Sequence, residues 1–369
     1  MHDAPRHDDV RATALGAPAA ASVDVPSPEA TSTDVDSGMP RRGEARAPRG
    51  VRWTAWRVLF ACTLTVAAVE VIGHFTVQSR VVHQEDWERA ASFLATHVAD
   101  DDGLVVAPEW MSPVARMALG ELVTEERVGY SDLAGFTRVF ELSARGRRHP
   151  DLAGLEAANV TRVGALTIRE YALGPSPVLF DLTGHLEAAH VDLVHGDEAQ
   201  PCAFQRGSLG RGGLGAGPLM PAARFQCERR RPWLYVGRTI NEDLTLQPRR
   251  CVWQHPAEPG SRVRTTFEDV PLGARLVLYA GLYYEHERMR EHGPFDLRVY
   301  IDGREAAHMT HRDGDGWKRL EALTGGPDAD PTRVGRVQIE VEADDPHLRS
   351  VCWSADIRSA VRARTEVAP

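Results

Sequence analysis

Residues 58–77 read VLFACTLTVAAVEVIGHFTV, an apolar run of about 20 residues between a polar amino-terminal tail and a long globular remainder. As an α-helix, a run of this length extends about 30 Å, which matches the hydrocarbon core of a bilayer. Glu70 and His74 are its polar members, and both lie in its second half. The sequence therefore predicts one membrane-spanning helix with the rest of the chain outside the lipid.

The flanks of this run predict its orientation. Six arginines precede it, at Arg41, Arg42, Arg46, Arg49, Arg52 and Arg57. Few basic residues follow it closely, and basic flanks stay in the cytoplasm. We expect an uncleaved signal-anchor of a bacterial inner membrane, single-pass, with a cytoplasmic amino terminus and periplasmic domains from about residue 80. A cleaved signal peptide and a buried core helix are the alternatives.

Composition divides the rest of the chain. Residues 1–52 are rich in Ala, Pro, Ser, Asp and Arg and are predicted to form a disordered tail before an anchor at 53–79. Residues 361–369 are predicted to form a second disordered tail at the other end of the chain. The net charge of −9 argues against a nucleic-acid partner, which requires a basic surface. The hydrophobic fraction of 43% is that of a protein with a real core.

Four of the five cysteines follow the apolar run, at Cys202, Cys227, Cys251 and Cys352. Outside the cytoplasm, four such thiols predict two disulfides, for which three connectivities exist. We favour Cys202–Cys227, which flanks a glycine-rich loop within 201–231, and Cys251–Cys352 near the two ends of the last domain. A zinc site is the alternative, but no C-x-x-C spacing supports it.

Helices alternate with short apolar strands over residues 84–200, which predicts a small α/β domain. The predicted elements are a helix at 86–98, a strand at 104–108, a helix at 112–122, and strands at 137–142 and 163–173. Ser112 followed by Pro113 is a typical helix start. Glu109 and Asp132 fall at strand or loop ends and are candidate catalytic carboxylates, with ordinary solvated side chains as the alternative.

Three runs in this region carry a resemblance: Asp86-Trp87-Glu88-Arg89-Ala90-Ala91, Asp102-Gly103-Leu104-Val105-Val106 and Pro108-Glu109-Trp110. They resemble the outer soluble segment of bacterial multi-span (GT-C type) glycosyltransferases. The resemblance implies an α/β lobe on the outer membrane face. This sequence departs from that family because it has one apolar span instead of many, so the resemblance implies a lobe without the transferase core.

Residues 232–360 change to the two-residue period of strands. The predicted strands are 264–267, 275–284, 295–301, 334–341 and 349–357. Asp302-Gly303, between the RVYI end of the strand at 295–301 and a weakly apolar run that follows, is a typical two-residue hairpin turn, because both positions favour positive φ. We therefore expect an antiparallel, jelly-roll-like β-sandwich after the single transmembrane helix and the α/β lobe.

The motifs Phe267-Glu268-Asp269-Val270-Pro271, Val299-Tyr300-Ile301-Asp302-Gly303, Gly314-Asp315-Gly316-Trp317 and Val337-Gln338-Ile339-Glu340-Val341 follow one another in this region. Their order resembles a galactose-binding-like or jelly-roll β-sandwich. The resemblance implies either sugar binding on aromatic side chains or an adhesive module beside another activity.

Two loops of this region supply candidate ligand-binding residues. These are Tyr283, Tyr284, Glu285, His286, Glu287, Arg288, His311 and Trp317. Tyr and Trp rings pack on the C–H face of a sugar, while Glu, His and Arg bind hydroxyls. The alternative is an internal salt-bridge network in which the rings cover the core.

Metal binding is a third interpretation of these loops. Asp313 and Asp315 are candidate ligands of one structural Ca²⁺; no other cofactor is expected. An EF-hand is excluded because Trp317 takes the fifth position and no Glu closes the loop. A zinc site would require the two loops to meet, and its ligands would be His286, His292, His308 and His311.

The predicted function is that of a non-enzymatic, membrane-anchored envelope protein whose β-sandwich binds a glycan or a protein partner. One alternative is a glycan-modifying transferase or hydrolase that uses Glu285 and Glu287, a chemistry requiring two carboxyl groups across a cleft. The other is a structural scaffold without a small ligand.

Overall fold

The computed structural model describes residues 49–78, 81–210, 212, 219–325 and 332–360. The apolar run lies in helix α1, Arg49–Gln78. Its segment Ala55–Gln78 has a mean hydropathy of 1.9 and is long and apolar enough to cross a membrane. The helix predicted over residues 58–77 is therefore present. Of the predicted tails at 1–52 and 361–369, residues 1–48 and 361–369 lie outside the described residues, whereas residues 49–52 belong to α1.

A four-stranded mixed sheet follows, with the spatial order β1-β2-β4-β3. Its strands are β1 Gly103–Ala107, β2 Arg138–Ala144, β3 Asn159–Val163 and β4 Leu166–Ala172. β1 is parallel to β2, and the other neighbours are antiparallel. The helices are α2 Gln84–His97, α3 Ser112–Leu119 and the short α4 Glu125–Val128.

One apolar face of α2 holds the helices to this sheet. Trp87, Ala90 and Leu94 recur at helical spacing and are buried. They share a core with Ala115 and Leu119 of α3 and with apolar side chains of the sheet. We call α2 to β4 the amino-terminal lobe. Its α3 ends three residues earlier than predicted, because Gly120 takes a φ of +53°.

Two antiparallel sheets form a β-sandwich after this lobe. The eight-stranded sheet contains β5 Val178–Asp181, β8 Ala203–Arg206, β9 Ala223–Gln226, β10 Tyr235–Glu242, β11 Pro248–Gln254, β13 Arg275–Gly281, β16 Lys318–Leu323 and β18 Cys352–Arg358. The six-stranded sheet contains β6 His190–His195, β7 Glu198–Pro201, β12 Ser261–Pro271, β14 Phe295–Ile301, β15 Arg304–His311 and β17 Val334–Ala343. Alternate apolar side chains of both sheets share one core.

The sandwich begins earlier in the chain than expected. β5 pairs with β18, and β6 pairs with β12, although both lie within the predicted 84–200 domain. Val191 and Leu193 of β6 are buried in the sandwich core. The predicted loop 201–231 also contains two short strands, β8 and β9. Which strands pair over such separations depends on tertiary packing, which local patterns do not encode.

The hairpin predicted at Asp302-Gly303 is confirmed. Asp302 has φ of +50° and Gly303 has φ of +77°, and Ile301 pairs with Arg304 across the turn. These left-handed values are those of a two-residue hairpin turn.

The single strand predicted over 163–173 is wrong, because β3 ends at Val163 and β4 begins at Leu166 after a turn in which Gly164 has a φ of +59°. Two further strand boundaries are wrong. The strand expected to reach Tyr284 stops at Gly281, and Tyr284–Met289 forms helix α5 instead. The last strand begins at Cys352 instead of Arg349. In both places the backbone leaves the sheet: the Tyr283 N–H donates to Ser350 Oγ, and Leu348 takes a φ of +54°.

Both predicted disulfides are present, as Cys202–Cys227 and Cys251–Cys352. Cys251 and Cys352 are fully buried on the adjacent strands β11 and β18. Cys62, within α1, is the one free cysteine among the described residues.

We expect Cys251→Ala/Cys352→Ala to lower the free energy of unfolding more than Cys202→Ala/Cys227→Ala does. Cys251 and Cys352 are 101 positions apart in the sequence, whereas Cys202 and Cys227 are 25 positions apart. In the chain-entropy model the two disulfides stabilise the fold by about 4.7 and about 3.5 kcal/mol, respectively. Urea denaturation of both double variants measures the difference, and an equal or reversed ranking would contradict it.

Candidate functional site

The two predicted loops meet inside the sandwich instead of forming an open site. Glu287 and His311 are both fully buried, with His311 Nε2 3.5 Å from Glu287 Oε1. The Gly316 N–H donates to Glu287 Oε1 at 2.5 Å, and His311 Nε2 lies 2.9 Å from the Gly316 carbonyl oxygen. The His311 ring stacks on Phe295, with centroids 4.8 Å apart. Neither side chain can reach a ligand on the surface.

Burial sets the ionisation of this pair. It raises the pKa of Glu287 to about 7, and the nearby Asp243, Asp313 and Asp315 raise it further, against the bond from Gly316. Burial also lowers the pKa of His311. Both effects favour the neutral forms, because the charged forms lose their hydration inside the protein.

Glu287→Gln should remove a pH dependence of stability. The folded pKa of Glu287 lies above its ordinary value of 4.5, so the wild-type protein loses stability as the pH rises from about 4.5 through about 7. We expect the stability advantage of the Gln variant to grow across this interval and then level off. Denaturation of both proteins at each pH measures it. A difference that does not change with pH would exclude this role of Glu287.

Trp317 does not provide a surface for a sugar ring, contrary to prediction. Its indole N–H donates to Ser131 Oγ of the amino-terminal lobe at 2.9 Å, and the Arg249 guanidinium lies 5.9 Å from its ring. A Cβ placed on Gly281 would come within 2.8 Å of the same ring. Trp317 therefore packs against the sheet and joins it to the lobe.

The tyrosine loop is also largely internal. Tyr283 is buried, while the Tyr284 hydroxyl donates to Glu285 Oε1 at 3.1 Å. Glu285 and Arg288 are exposed on α5, on the side of the chain away from buried Glu287. Of the eight predicted ligand residues, His286 is the one that lines a deep cleft.

The candidate calcium ligands have other partners. Asp313 Oδ1 accepts a hydrogen bond from buried Arg349 at 2.5 Å, and Asp315 accepts one from Lys318 at 2.9 Å. His308 lies 2.8 Å from Asp296. Within the described ranges, no group of three or more His, Cys, Asp or Glu side chains is placed to hold a metal ion.

Glu109 and Asp132 line a small polar cavity of about 130 Å³ in the amino-terminal lobe and the adjoining sandwich. Glu109 lies 3.9 Å from His149. Burial alone would raise the pKa of Asp132, but Arg358 at 2.9 Å and the Tyr279 hydroxyl hold it below its usual value. Asp132 is therefore an ionised structural bridge to the sandwich, and not a proton donor.

A cleft of about 510 Å³ opens on the sandwich near α5, and we name it the Trp233 cleft. It is lined by Trp233, Trp253, His255, His286, Asp345, Pro346, His347 and Leu348. Trp233 is 41% exposed, whereas Trp253 at the end of β11 is buried. No Arg or Lys lines the cleft, and Asp345 is its single carboxylate.

Aromatic packing fixes the apolar wall. The Trp233 ring lies 4.7 Å from the His255 ring, and Trp253 lies 5.8 Å from the same ring. Tyr235 stacks behind Trp253 at 5.8 Å and an interplanar angle of 16°. The indole N–H of Trp253 is buried without a hydrogen-bond partner among the described residues.

Imidazoles form the polar wall. His255 Nδ1 lies 2.7 Å from the Pro256 carbonyl oxygen, so Nδ1 carries the proton and Nε2 is an acceptor. Burial lowers the pKa of His255 to about 4 and also lowers that of His286, whose Nδ1 lies 2.9 Å from Ser350 Oγ. At neutral pH these two imidazoles are uncharged, and His255 Nε2 can accept a hydrogen bond.

Asp345 is held at the rim of the cleft. It accepts the His347 N–H at 3.2 Å and lies 3.4 Å from His292 Nδ1. The bond from the backbone is the main reason that its pKa lies below the usual value. An ionised acceptor therefore stands beside the neutral imidazoles.

Sequence reasoning missed most of the Trp233 cleft. Its wall comes from four distant segments, around Trp233, at 253–255, at His286 and at 345–348. The local signal was the Trp253-Gln254-His255 run at a strand end and the turn Asp345-Pro346-His347. These segments meet only because β11 and β18 are neighbours in the sheet.

No protein-family model and no curated protein matches this sequence. The resemblance of residues 86–110 to GT-C type glycosyltransferases therefore has no support from these comparisons. Several solved structures share low similarity with the chain.

Three of these structures come from Clostridium perfringens. The CBM51-2 domain in complex with GlcNAc and the INT domains of ZmpB show 12% identity over 47% of this chain and 37% of that one, with a TM-score of 0.26. The CBM51 of GH95 in complex with methyl-galactose shows 10% identity over 30% of this chain and 68% of that one, with a TM-score of 0.21. The ZmpB M60 catalytic domain with its two CBM51 domains shows 12% identity over 57% of this chain and 20% of that one, with a TM-score of 0.26.

This chain thus spans about a third of the length of the first of these proteins. TM-scores of this size support no conclusion about the fold or the ligand of the present chain. The β-sandwich and its cleft rest on the described strands and side chains alone.

Proposed function

We propose that this chain is a membrane-anchored extracytoplasmic protein whose β-sandwich binds an uncharged glycan in the Trp233 cleft. The observation that carries the proposal is the half-exposed Trp233 ring beside two neutral imidazoles in one open cleft. An indole face packs on the apolar C–H face of a pyranose, and the polar wall orients its hydroxyls.

The charges of the cleft support an uncharged sugar. Asp345 is ionised, and the cleft has no cationic side chain to bind a carboxylate or sulfate. An acidic sugar would therefore meet repulsion without a compensating ion pair. Carboxylates accept two hydroxyl donors well, which suits a neutral hexose or an N-acetylhexosamine.

The contacts of the loop carboxylates favour binding over glycan hydrolysis. Glycosidase chemistry requires two carboxyl groups that both reach the substrate. Glu287 is fully buried against Gly316, and Glu285 alone of the pair is exposed. The predicted acid/base pair of these two residues is therefore not assembled on the surface.

Two features together support the proposed membrane anchor and the proposed extracytoplasmic compartment. Helix α1 is long and apolar enough to span a bilayer, and disulfides such as Cys251–Cys352 persist in oxidising compartments. The arginines before the apolar run support a cytoplasmic amino terminus under the positive-inside rule. The sandwich would then lie on the periplasmic side.

Glycan binding is tested on an array of neutral and acidic glycans with the full chain in detergent. We expect binding to neutral sugars, weakened about fivefold or more by Trp233→Ala, since an aromatic contact contributes about 1 kcal/mol beyond its buried area. Trp110→Ala is the matched control, because Trp110 is an exposed tryptophan of the amino-terminal lobe. If the parent protein binds no glycan, the proposal is wrong and the alternative of a structural scaffold without a small ligand remains.

The anchor is tested by deleting residues 55–78 from the full chain. We expect the parent protein to remain with membranes after alkaline extraction and the deletion variant to be released, because about 20 apolar residues are removed. Thiol labelling of a cysteine introduced at exposed Ala306 of β15 is then expected in intact spheroplasts. Labelling that requires lysis would reverse the proposed orientation.

A further inference from the structure

The helical segment after β1 carries an exposed apolar stripe. Trp110 is 63% exposed, Val114 49% and Met117 86%. Trp110 lies in a short 3₁₀-helix that continues into α3, so the three residues at spacing i, i+4 and i+7 share one face. The opposite face is buried in the lobe. Large side chains aligned in this way on a folded surface indicate a partner.

A basic turn lies beside this stripe. The guanidinium of Arg145 stands 5.8 Å from the centre of the Trp110 ring, and Arg145 and Arg147 are exposed in the turn after β2. Arg148 pairs with Glu141, whereas Arg145 and Arg147 form no ion pair within the part of the chain that the structure describes. The stripe and this turn together are named the Trp110 patch.

Few residues separate the proposed anchor from the lobe that carries this patch. Residues 79–83 are the whole connection between α1 and α2, and such a segment spans about 20 Å at most. α3, which carries the stripe, shares its buried core with α2. Exposed Val81 lies within the connection itself.

We propose that the Trp110 patch binds the surface of an anionic lipid bilayer, so that the amino-terminal lobe lies on the membrane from which α1 emerges. Tryptophan favours the headgroup level, where an amphipathic ring has both apolar and polar neighbours. Met117 and Val114 would enter the acyl boundary, as on interfacial helices. Arg145 and Arg147 would bind lipid phosphates. The inference rests on the proposed anchor.

A second copy of the chain fits this patch less well. Three side chains supply far less than the roughly 800 Å² per partner of a stable protein interface. A symmetric pair would also bring two basic turns together, which repel one another. Anionic phosphates, by contrast, complement both the charge and the shallow shape of the patch.

The test uses the full chain in lipid nanodiscs that contain a lipid with a photoactivatable acyl chain. Peptide mass spectrometry then locates the crosslinked residues. We expect labelling of α1 and of the segment with Trp110 and Met117, stronger in phosphatidylglycerol than in phosphatidylcholine. The peptide with Met289, an exposed methionine of the sandwich, is expected to stay unlabelled and serves as the internal control.

Two variants sharpen the result. Met117→Glu should abolish labelling of the stripe, and Met289→Glu, its matched control, should leave it unchanged. Arg145→Gln should reduce labelling in phosphatidylglycerol by up to about fivefold, since one basic residue near an anionic surface contributes about 1 kcal/mol. Met117, Met289 and Arg145 are all exposed, so folding should be preserved in each variant.

Labelling of α1 without labelling of the stripe would overturn this inference and leave the anchor intact. Absence of both labels would overturn the anchor and the patch together. Stripe labelling that persists in Met117→Glu, or crosslinks between two copies through Trp110, would also overturn lipid binding. Glycan binding in the Trp233 cleft is measured separately and can fail or succeed independently.

Discussion

The sandwich depends on the hydrogen bonding of one fully buried amide, Gln254. Its Oε1 accepts from the Thr265 hydroxyl at 2.7 Å and from the Trp353 indole at 3.0 Å. Its Nε2 donates to the carbonyl oxygens of Val263 at 2.8 Å and Ile339 at 3.2 Å. One side chain thereby fixes the registration of the two sheets, because an unsatisfied buried amide would cost free energy in any other arrangement. These hydrogen bonds also position part of the Trp233 cleft, since Trp253 and His255 flank Gln254 in sequence.

The same molecule shows how charge is distributed between interior and surface. Two buried guanidiniums pair with carboxylates, Arg349 with Asp313 and Arg358 with Asp132. Side chains that look like a reactive set in the sequence can therefore be structural partners in the fold. The Trp233 cleft, where β11 ends, has by contrast a single carboxylate and no Arg or Lys in its lining. This difference separates the internal network from the proposed binding cleft.

Local patterns in the sequence predicted the apolar helix, the hairpin at Asp302-Gly303 and both disulfides. Each of these depends on residues close together or on a simple pairing choice. The extent of the sandwich and its cleft could not be predicted, because they depend on which distant strands pair. Trp317 shows the limit: its neighbours alone do not tell whether an indole covers a core or faces solvent. The answer required Gly281 and Ser131, which are far away in sequence.

The early start of the sandwich constrains any dissection of the chain. The order of the second sheet is β15-β14-β17-β12-β6-β7, so β6 and β7 protect one edge of the 11-residue strand β12. A fragment beginning at residue 201 would lack both strands and would expose the backbone N–H and C=O groups of β12. Unpaired strand edges of this length promote pairing with other chains, and therefore aggregation. A cut in the connection between β4 and β5, at residues 173–177, would instead keep every sandwich strand in one piece.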